Sequence, residues 1–358
     1  MFHTVFWAII VLGVLIFVHE LGHFLLARFH GVRVQVFSLG FGPRLYSWQD
    51  KSSGTEYRLS AIPLGGYVKM LGESDEDPIA SEDLPHAFYA KKVGPRMMIV
   101  FAGPAFNFLF AFVALTGAYL TGVSELLPVV GSVSAGMPAE AAGVQVGDRI
   151  TYVGDQPVAR WVAFSQMIKA SEGRVLTLTV ERSGEPLLIK VTPQLKETKN
   201  LFGESVHLPL IGVGPGSAVE TVAYAPLDAM AKGWEQTWSM TLLTLTSTWK
   251  LITQVVSADQ IGGPLMIADL AGKAAEQGAS NLLFFMALIS VNLAILNLLP
   301  VPILDGGHLM FFSIEALRGQ PVGEAVQQLA NRVGMALLLL LMLWALKNDL
   351  TRFFPMSH

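Results

Sequence analysis

The chain is 358 residues long, 52% hydrophobic and only 15% charged, with a mean hydropathy of +0.49. That composition excludes an ordinary soluble enzyme and predicts a polytopic α-helical membrane protein of about four spans. A net charge of -4 and no Lys/Arg-rich run exclude nucleic acid as a partner, and the lack of cysteine excludes disulfides and Cys-ligated metals, leaving His, Asp and Glu for any ion.

A membrane-crossing helix needs about 20 mostly apolar residues. The first candidate, residues 4–27, is apolar except for Thr4, His19, Glu20 and His23. It lacks the basic leader of a cleaved signal peptide and carries ionisable groups near its end, so it reads as a retained span. In a helix, positions i and i+4 share a face. His19 and His23 can therefore offer ring nitrogens to one ion, with Glu20 beside them to reach a bound water. Zinc suits this set, because a catalytic zinc keeps an open position and lowers the pKa of its water to about 7. Glu20 would take that proton and pass it to a leaving amine. An ionisable group at membrane depth costs about 2.5–3.5 kcal/mol on insertion scales, which argues that these three are used.

In the following loop, residues 28–96, Val32, Val34 and Val36 alternate, and Tyr57 to Leu71 alternates around Pro63-Leu64-Gly65-Gly66. Short strands and a hairpin are expected there. Acidic residues between Glu73 and Asp83 mark a solvated loop. Arg28 and Arg33 follow the first span, and Lys91, Lys92 and Arg96 precede the second, residues 97–122, which puts this loop in the cytoplasm and the N-terminus outside. Counting spans then leaves 123–280 outside, 305–332 inside and the C-terminus outside.

Residues 128–214 read as a compact β-rich module, with strands at Val129–Val133, Arg149–Val153 and Val175–Val180 between Gly/Pro turns. Residues 215–280 should form amphipathic linker helices, where Trp234, Trp238 and Trp249 suit the headgroup layer. A third span over 281–304 and a short fourth over 333–347 complete the membrane core of 1–127 and 281–358. The third runs into Asn297-Leu298-Leu299-Pro300-Val301-Pro302-Ile303-Leu304-Asp305-Gly306-Gly307-His308. Its prolines must break the helix at the membrane edge, and exposed backbone at that depth needs a protein-lined or wet cavity. Asp305 and His308 both qualify as a third ligand, and Asp305 is preferred. No internal repeat suggests a transporter, and no polar stripe runs along several spans as a channel would require.

These motifs resemble the site-2 protease family, whose members carry HExxH in the first core helix and N-x-x-P-x-x-x-x-D-G in the third. Ser38-Leu39-Gly40-Phe41-Gly42-Pro43, Pro63-Leu64-Gly65-Gly66-Tyr67-Val68-Lys69-Met70 and Gly103-Pro104-Ala105-Phe106-Asn107 look like its bacterial RseP-type group. The resemblance implies that His19, His23 and Asp305 bind one zinc ion and that Glu20 is the catalytic acid/base. It implies substrate-holding roles for Asn297, Pro300 and Pro302. Gly65, Gly66, Tyr67 and Val68 then belong to a re-entrant β element that pairs with an unwound substrate helix. Residues 134–150 resemble a circularly permuted bacterial PDZ domain, with Trp161–Ile168 as groove helix and a peptide C-terminus as ligand. There is room for one such domain rather than the tandem pair common in the group. The implied substrate is a single-spanning protein of the bacterial inner membrane already shortened by another protease: an anti-sigma factor or a remnant signal peptide.

Overall fold

The computed structural model describes residues 2–73, 79–200, 202–253, 255 and 262–353. Asp75, Glu76 and Asp77 of the acidic stretch between Glu73 and Asp83, and the tail with His358, lie outside them. The chain divides into two compact units, one of residues 1–120 and 225–358 and the other of residues 121–224.

In the first unit, α1 (Phe2–Phe29) is apolar on every side, as a span must be, yet one stripe is buried: Ala8, Val11, Leu15, His19, Gly22, His23 and Ala27. That spacing of three and four is a single helix face, so the polar residues share the protein-facing side with the core. The strands β1 (Val34–Gln49) and β2 (Glu56–Met70) pair antiparallel and fold back on themselves. Val36–Leu39 lies between Glu56–Leu59 on one side and Gly66–Lys69 on the other, while Arg44–Gln49 pairs with Glu56–Ser60. Gly40 makes the fold possible: its φ is +89°, and a Cβ there would lie 2.8 Å from the Ile62 carbonyl oxygen. Gly66–Met70 is thereby left as an edge strand.

The helix α2 (Val93–Thr121) contains Pro104 and buries small residues, among them Ala102, Gly103, Ala111, Ala114 and Ala118. Such a surface lets helices approach closely, which is how spans pack where lipid removes the hydrophobic drive.

The second unit runs β3 (Val123–Leu126), β4 (Val130–Val133), α3 (Pro138–Ala141), β5 (Arg149–Val153), β6 (Gln156–Pro157), α4 (Trp161–Ala170), β7 (Leu176–Arg182), β8 (Glu185–Val191), β9 (Gln194–Lys199), β10 (Ser205–Leu210), β11 (Val213–Pro215) and β12 (Val219–Val222). Its central sheet has the order β6-β5-β7-β8 and packs with α4 around Phe164, Ile168, Ile150, Leu178 and Val180. The unit reaches beyond 128–214 because β3 pairs with β12, joining the chain entering it to the chain leaving it.

Chain returns to the first unit with α5 (Pro226–Ile252), α6 (Pro264–Glu276), α7 (Ala279–Leu298), α8 (Asp305–Arg318) and α9 (Glu324–Phe353). Helix α5 buries Ala229, Gly233, Thr237 and Thr241 while Trp234, Trp238 and Trp249 are exposed. The Thr244 hydroxyl donates to Asn292 Oδ1 of α7 at 2.7 Å. Asp349, wholly buried in α9, caps α6 by accepting from the N–H groups of Gly263, Leu265 and Met266. Ala111, Ala114 and Leu115 of α2 pack with Ala287, Val291 and Ile295 of α7, and Val11 and Leu15 of α1 with Ala271 and Met286.

Among the described residues, α1, α2, α7 and α9 are long and apolar enough to cross a membrane. The bounds depart furthest from the hydropathy reading in two of them. Helix α7 stops at Leu298, six residues short of 304, because Pro300 and Pro302 cannot continue it. Helix α9 has 30 residues rather than a short 333–347 core, since backbone hydrogen bonding carries on through its polar ends.

Candidate metal centre

One turn of α1 separates His19 from His23, and their Nε2 atoms lie 3.2 Å apart. Asp305 meets them from the first position of α8: its Oδ2 is 3.2 Å from His19 Nε2 and its Oδ1 is 3.6 Å from His23 Nε2. The break before α8 positions this carboxylate. After Leu298 the chain passes Pro300 and Pro302, and Ile303 sits at φ +83°, a conformation a β-branched residue rarely adopts. Strain of this kind persists where the surroundings over-determine it. Gly306 and Gly307 let α8 begin against the broken end of α7, since a Cβ at either would strike the carbonyls of Leu298, Leu299 or Val301.

The donor set fits zinc. Ligands about 2.0–2.1 Å from a tetrahedral zinc are separated from one another by about 3.3 Å; here the two Nε2 atoms are 3.2 Å apart, and Asp305 comes within 3.2 Å of His19 through Oδ2 and within 3.6 Å of His23 through Oδ1. The side chains of His19, His23 and Asp305 are 11%, 10% and 17% exposed, and Asp305 Oδ2 is buried without a hydrogen-bond partner among the described residues. A buried carboxylate whose two oxygens each face an imidazole nitrogen calls for a cation. His23 Nδ1–H donates to the Ile99 carbonyl at 2.9 Å, which turns its Nε2 lone pair toward the shared centre.

The centre opens on a cavity of about 940 Å³, lined by Glu20, Gly66, Tyr67, Val68, Ile303 and His308 among others. Glu20 enters beside the edge strand, so close that a Cβ on Gly66 would lie 3.0 Å from Glu20 Cγ. Farther along the wall, Arg96 of α2 is paired with Glu315 of α8, its guanidinium 4.9 Å from the Phe312 ring centroid.

The residues singled out in the sequence are placed as follows. His19, His23 and Asp305 form the cluster able to hold an ion, while Glu20, Gly66, Tyr67, Val68 and His308 line the cavity. Asn297 reaches the centre itself, its Nδ2 3.5 Å from His19 Nε2. Gly65 occupies the bend before the edge strand at φ +144°. Pro300 and Pro302 are off the cavity wall and act on the backbone, Pro302 lying against Gly307 of α8 and Gly334 of α9. Sequence reasoning missed the Ile99 carbonyl and the Arg96–Glu315 pair. A backbone acceptor leaves no mark in a sequence, and Arg96 reads as one more flanking cation.

Residues 7–341 match the family described as Peptidase family M50. A protein of Rhizobium meliloti bearing the name zinc metalloprotease is 38% identical, over 98% of this chain and 97% of its own. The regulator of sigma-E protease RseP of Escherichia coli is 36% identical, over 96% of this chain and 97% of its own. With the buried His-His-Asp cluster and four apolar helices, these matches show that the chain is a membrane metalloprotease belonging to peptidase family M50.

Proposed function

We propose that this protein is a zinc-dependent endopeptidase that cuts a peptide bond within the transmembrane segment of a single-spanning protein. The observation that carries the reading is the convergence of His19, His23 and Asp305, 3.2–3.6 Å apart, on a large cavity between helices of membrane-spanning length. When bound by these three residues, zinc supplies a Lewis acid that acidifies water and polarises the scissile carbonyl. Glu20, one residue from His19 and facing the cavity, takes the proton of the attacking water and delivers it to the leaving amine.

Peptide hydrolysis requires an extended substrate, and unwinding a helix at membrane depth exposes backbone groups that need partners. The edge strand Gly66–Met70, paired on one side with β1 and lining the cavity through Gly66, Tyr67, Val68 and Met70, can supply them by strand addition. Gly65 lets the chain turn into that strand. Asn297 holds substrate beside the centre, and Pro300 and Pro302 keep the adjoining segment open.

The unit of residues 121–224 is read as a single PDZ domain. A groove of about 500 Å³ beside α4, lined by Met137, Trp161, Ser165, Ile168, Leu210 and Gly212, suits a peptide C-terminus. The alignment with the Escherichia coli relative runs over 445 positions, more than the 358 residues here, so that relative carries residues this chain lacks. That excess accords with one such domain in place of two. Flanking cations support an inner-membrane orientation with the PDZ domain and both termini outside the cytoplasm. The substrates that fit are an anti-sigma factor after a first cleavage or a remnant signal peptide. Cleavage of a membrane-inserted model substrate by wild type and Glu20→Gln tests the reading, and full cleavage by the variant would sink the mechanism.

A further inference from the structure

The HExxH motif and Asp305 account for the ligands but leave open what holds His19 in the right tautomer. Its Nε2 faces His23 Nε2 and Asp305 Oδ2, each at 3.2 Å. For Nε2 to offer a lone pair there, the one proton of the neutral ring must sit on Nδ1, and a buried N–H needs an acceptor. The group within reach of Nδ1 is the carboxamide of Asn107, at 3.0 Å, on a residue with no exposed surface. Which end of a carboxamide is oxygen is decided by its bonds. With nitrogen toward His19, two N–H donors oppose each other and Asn107 Oδ1 is buried without a partner among the described residues. With oxygen toward His19, the Nδ1–H has its acceptor.

Resting on the metal-centre reading above, we propose that Asn107 is a positioning residue for the metal: its carboxamide oxygen accepts from His19 Nδ1–H and fixes the lone pair of Nε2 on the ion. The same face of α2 serves both histidines. Ile99, Gly103 and Asn107 are four residues apart and share one side of the helix. The Ile99 carbonyl accepts from His23. Gly103 leaves room for both rings, since a Cβ there would lie 2.8 Å from His19 Cε1 and collide with the His23 imidazole. Ser290 of α7 in turn donates to the Asn107 main-chain carbonyl at 2.8 Å, tying this turn of α2 in place. Partners behind a metal-bound histidine set its ring orientation and basicity, and their loss lowers affinity by about 10- to 100-fold.

The test uses the purified full-length protein, stripped of metal and titrated with cobalt and zinc against a chromophoric chelator, with the visible cobalt spectrum recorded. Asn107→Leu keeps the volume and removes the acceptor; Asn107→Asp keeps an acceptor; Ser290→Ala removes only the bond to the main chain. Expected are an affinity loss of about 10- to 100-fold and an altered cobalt spectrum for Asn107→Leu, with affinity and spectrum retained by Asn107→Asp and Ser290→Ala. Wild-type behaviour of Asn107→Leu, or equal loss in Asn107→Leu and Asn107→Asp, overturns the proposal. Should Asn107→Leu fail to fold, ¹⁵N-histidine spectra of the metal-loaded wild type decide: a proton on His19 Nδ1 supports it, and its absence overturns it. If the wild type binds neither ion, the metal-centre reading itself falls, and this one with it.

Discussion

Replacing Gly103 with alanine sets two effects against each other. In a helix interior, Gly→Ala ordinarily gains about 1 kcal/mol. The new methyl, however, would lie 2.8 Å from His19 Cε1 and closer still to the His23 ring, where ordinary contact begins at 3.4 Å. At least 3.4 − 2.8 = 0.6 Å of displacement is needed at His19, whereas zinc–ligand distances tolerate only about 0.2 Å. Gly13→Ala in α1 is the control, because none of the described residues lies within 4 Å of a Cβ there. Elemental analysis after dialysis against graded chelator, with cleavage of a membrane-inserted substrate on the same preparations, reads the outcome. Gly103→Ala should lose zinc at least ~10-fold more readily and lose cleavage with it, while Gly13→Ala retains both. Wild-type zinc retention by Gly103→Ala would refute the claim that this face of α2 shapes the centre.

Asp305→Ala should lose bound zinc and His308→Ala should keep it, measured by the same dialysis; the reverse pattern would make His308 the third ligand. In the 121–224 unit, burial pushes the Asp148 carboxyl up, but hydrogen bonds from Arg182 and the Gln145 N–H outweigh it and hold the pKa below the usual value. A carboxyl depressed in the folded state adds stability that is complete above its unfolded pKa of about 3.9 and lost as pH falls through the folded value. Asp148→Asn should therefore cost about 2 kcal/mol at pH 7 and progressively less below about pH 4. Urea unfolding of an excised 121–224 fragment, which has its own hydrophobic core, can be followed by Trp161 fluorescence, and a difference constant from pH 7 to pH 2 would contradict the assignment.

What could be read in advance follows from which signals are local. His19 and His23 share a face because the helix period is local, and the break at Pro300 and Pro302 is legible because proline lacks the donor a helix needs. The alternation in 28–71 marks strands, but nothing local says that Val36–Leu39 pairs on both sides and leaves Gly66–Met70 as the edge. The support behind the ligands is less legible again. The Ile99 carbonyl has no side-chain signature, and Asn107 reads equally well as an ordinary helix–helix contact until its amide is found 3.0 Å from His19. The tryptophans of α5 suggest a headgroup location, while its packing depends on Gly233, Thr237 and Thr241, residues too small to register in a hydropathy scan. Asp349 caps α6 from 83 residues or more away in sequence, a pairing with no local mark.

The central claim is that Glu20 moves the proton at a centre held by His19, His23 and Asp305. It is tested most directly by measuring zinc content and cleavage of a transmembrane substrate together, on wild type and Glu20→Gln purified alike. The account predicts equal zinc in both proteins and cleavage by the wild type alone. Zinc-loaded Glu20→Gln that cleaves at the wild-type rate would contradict it.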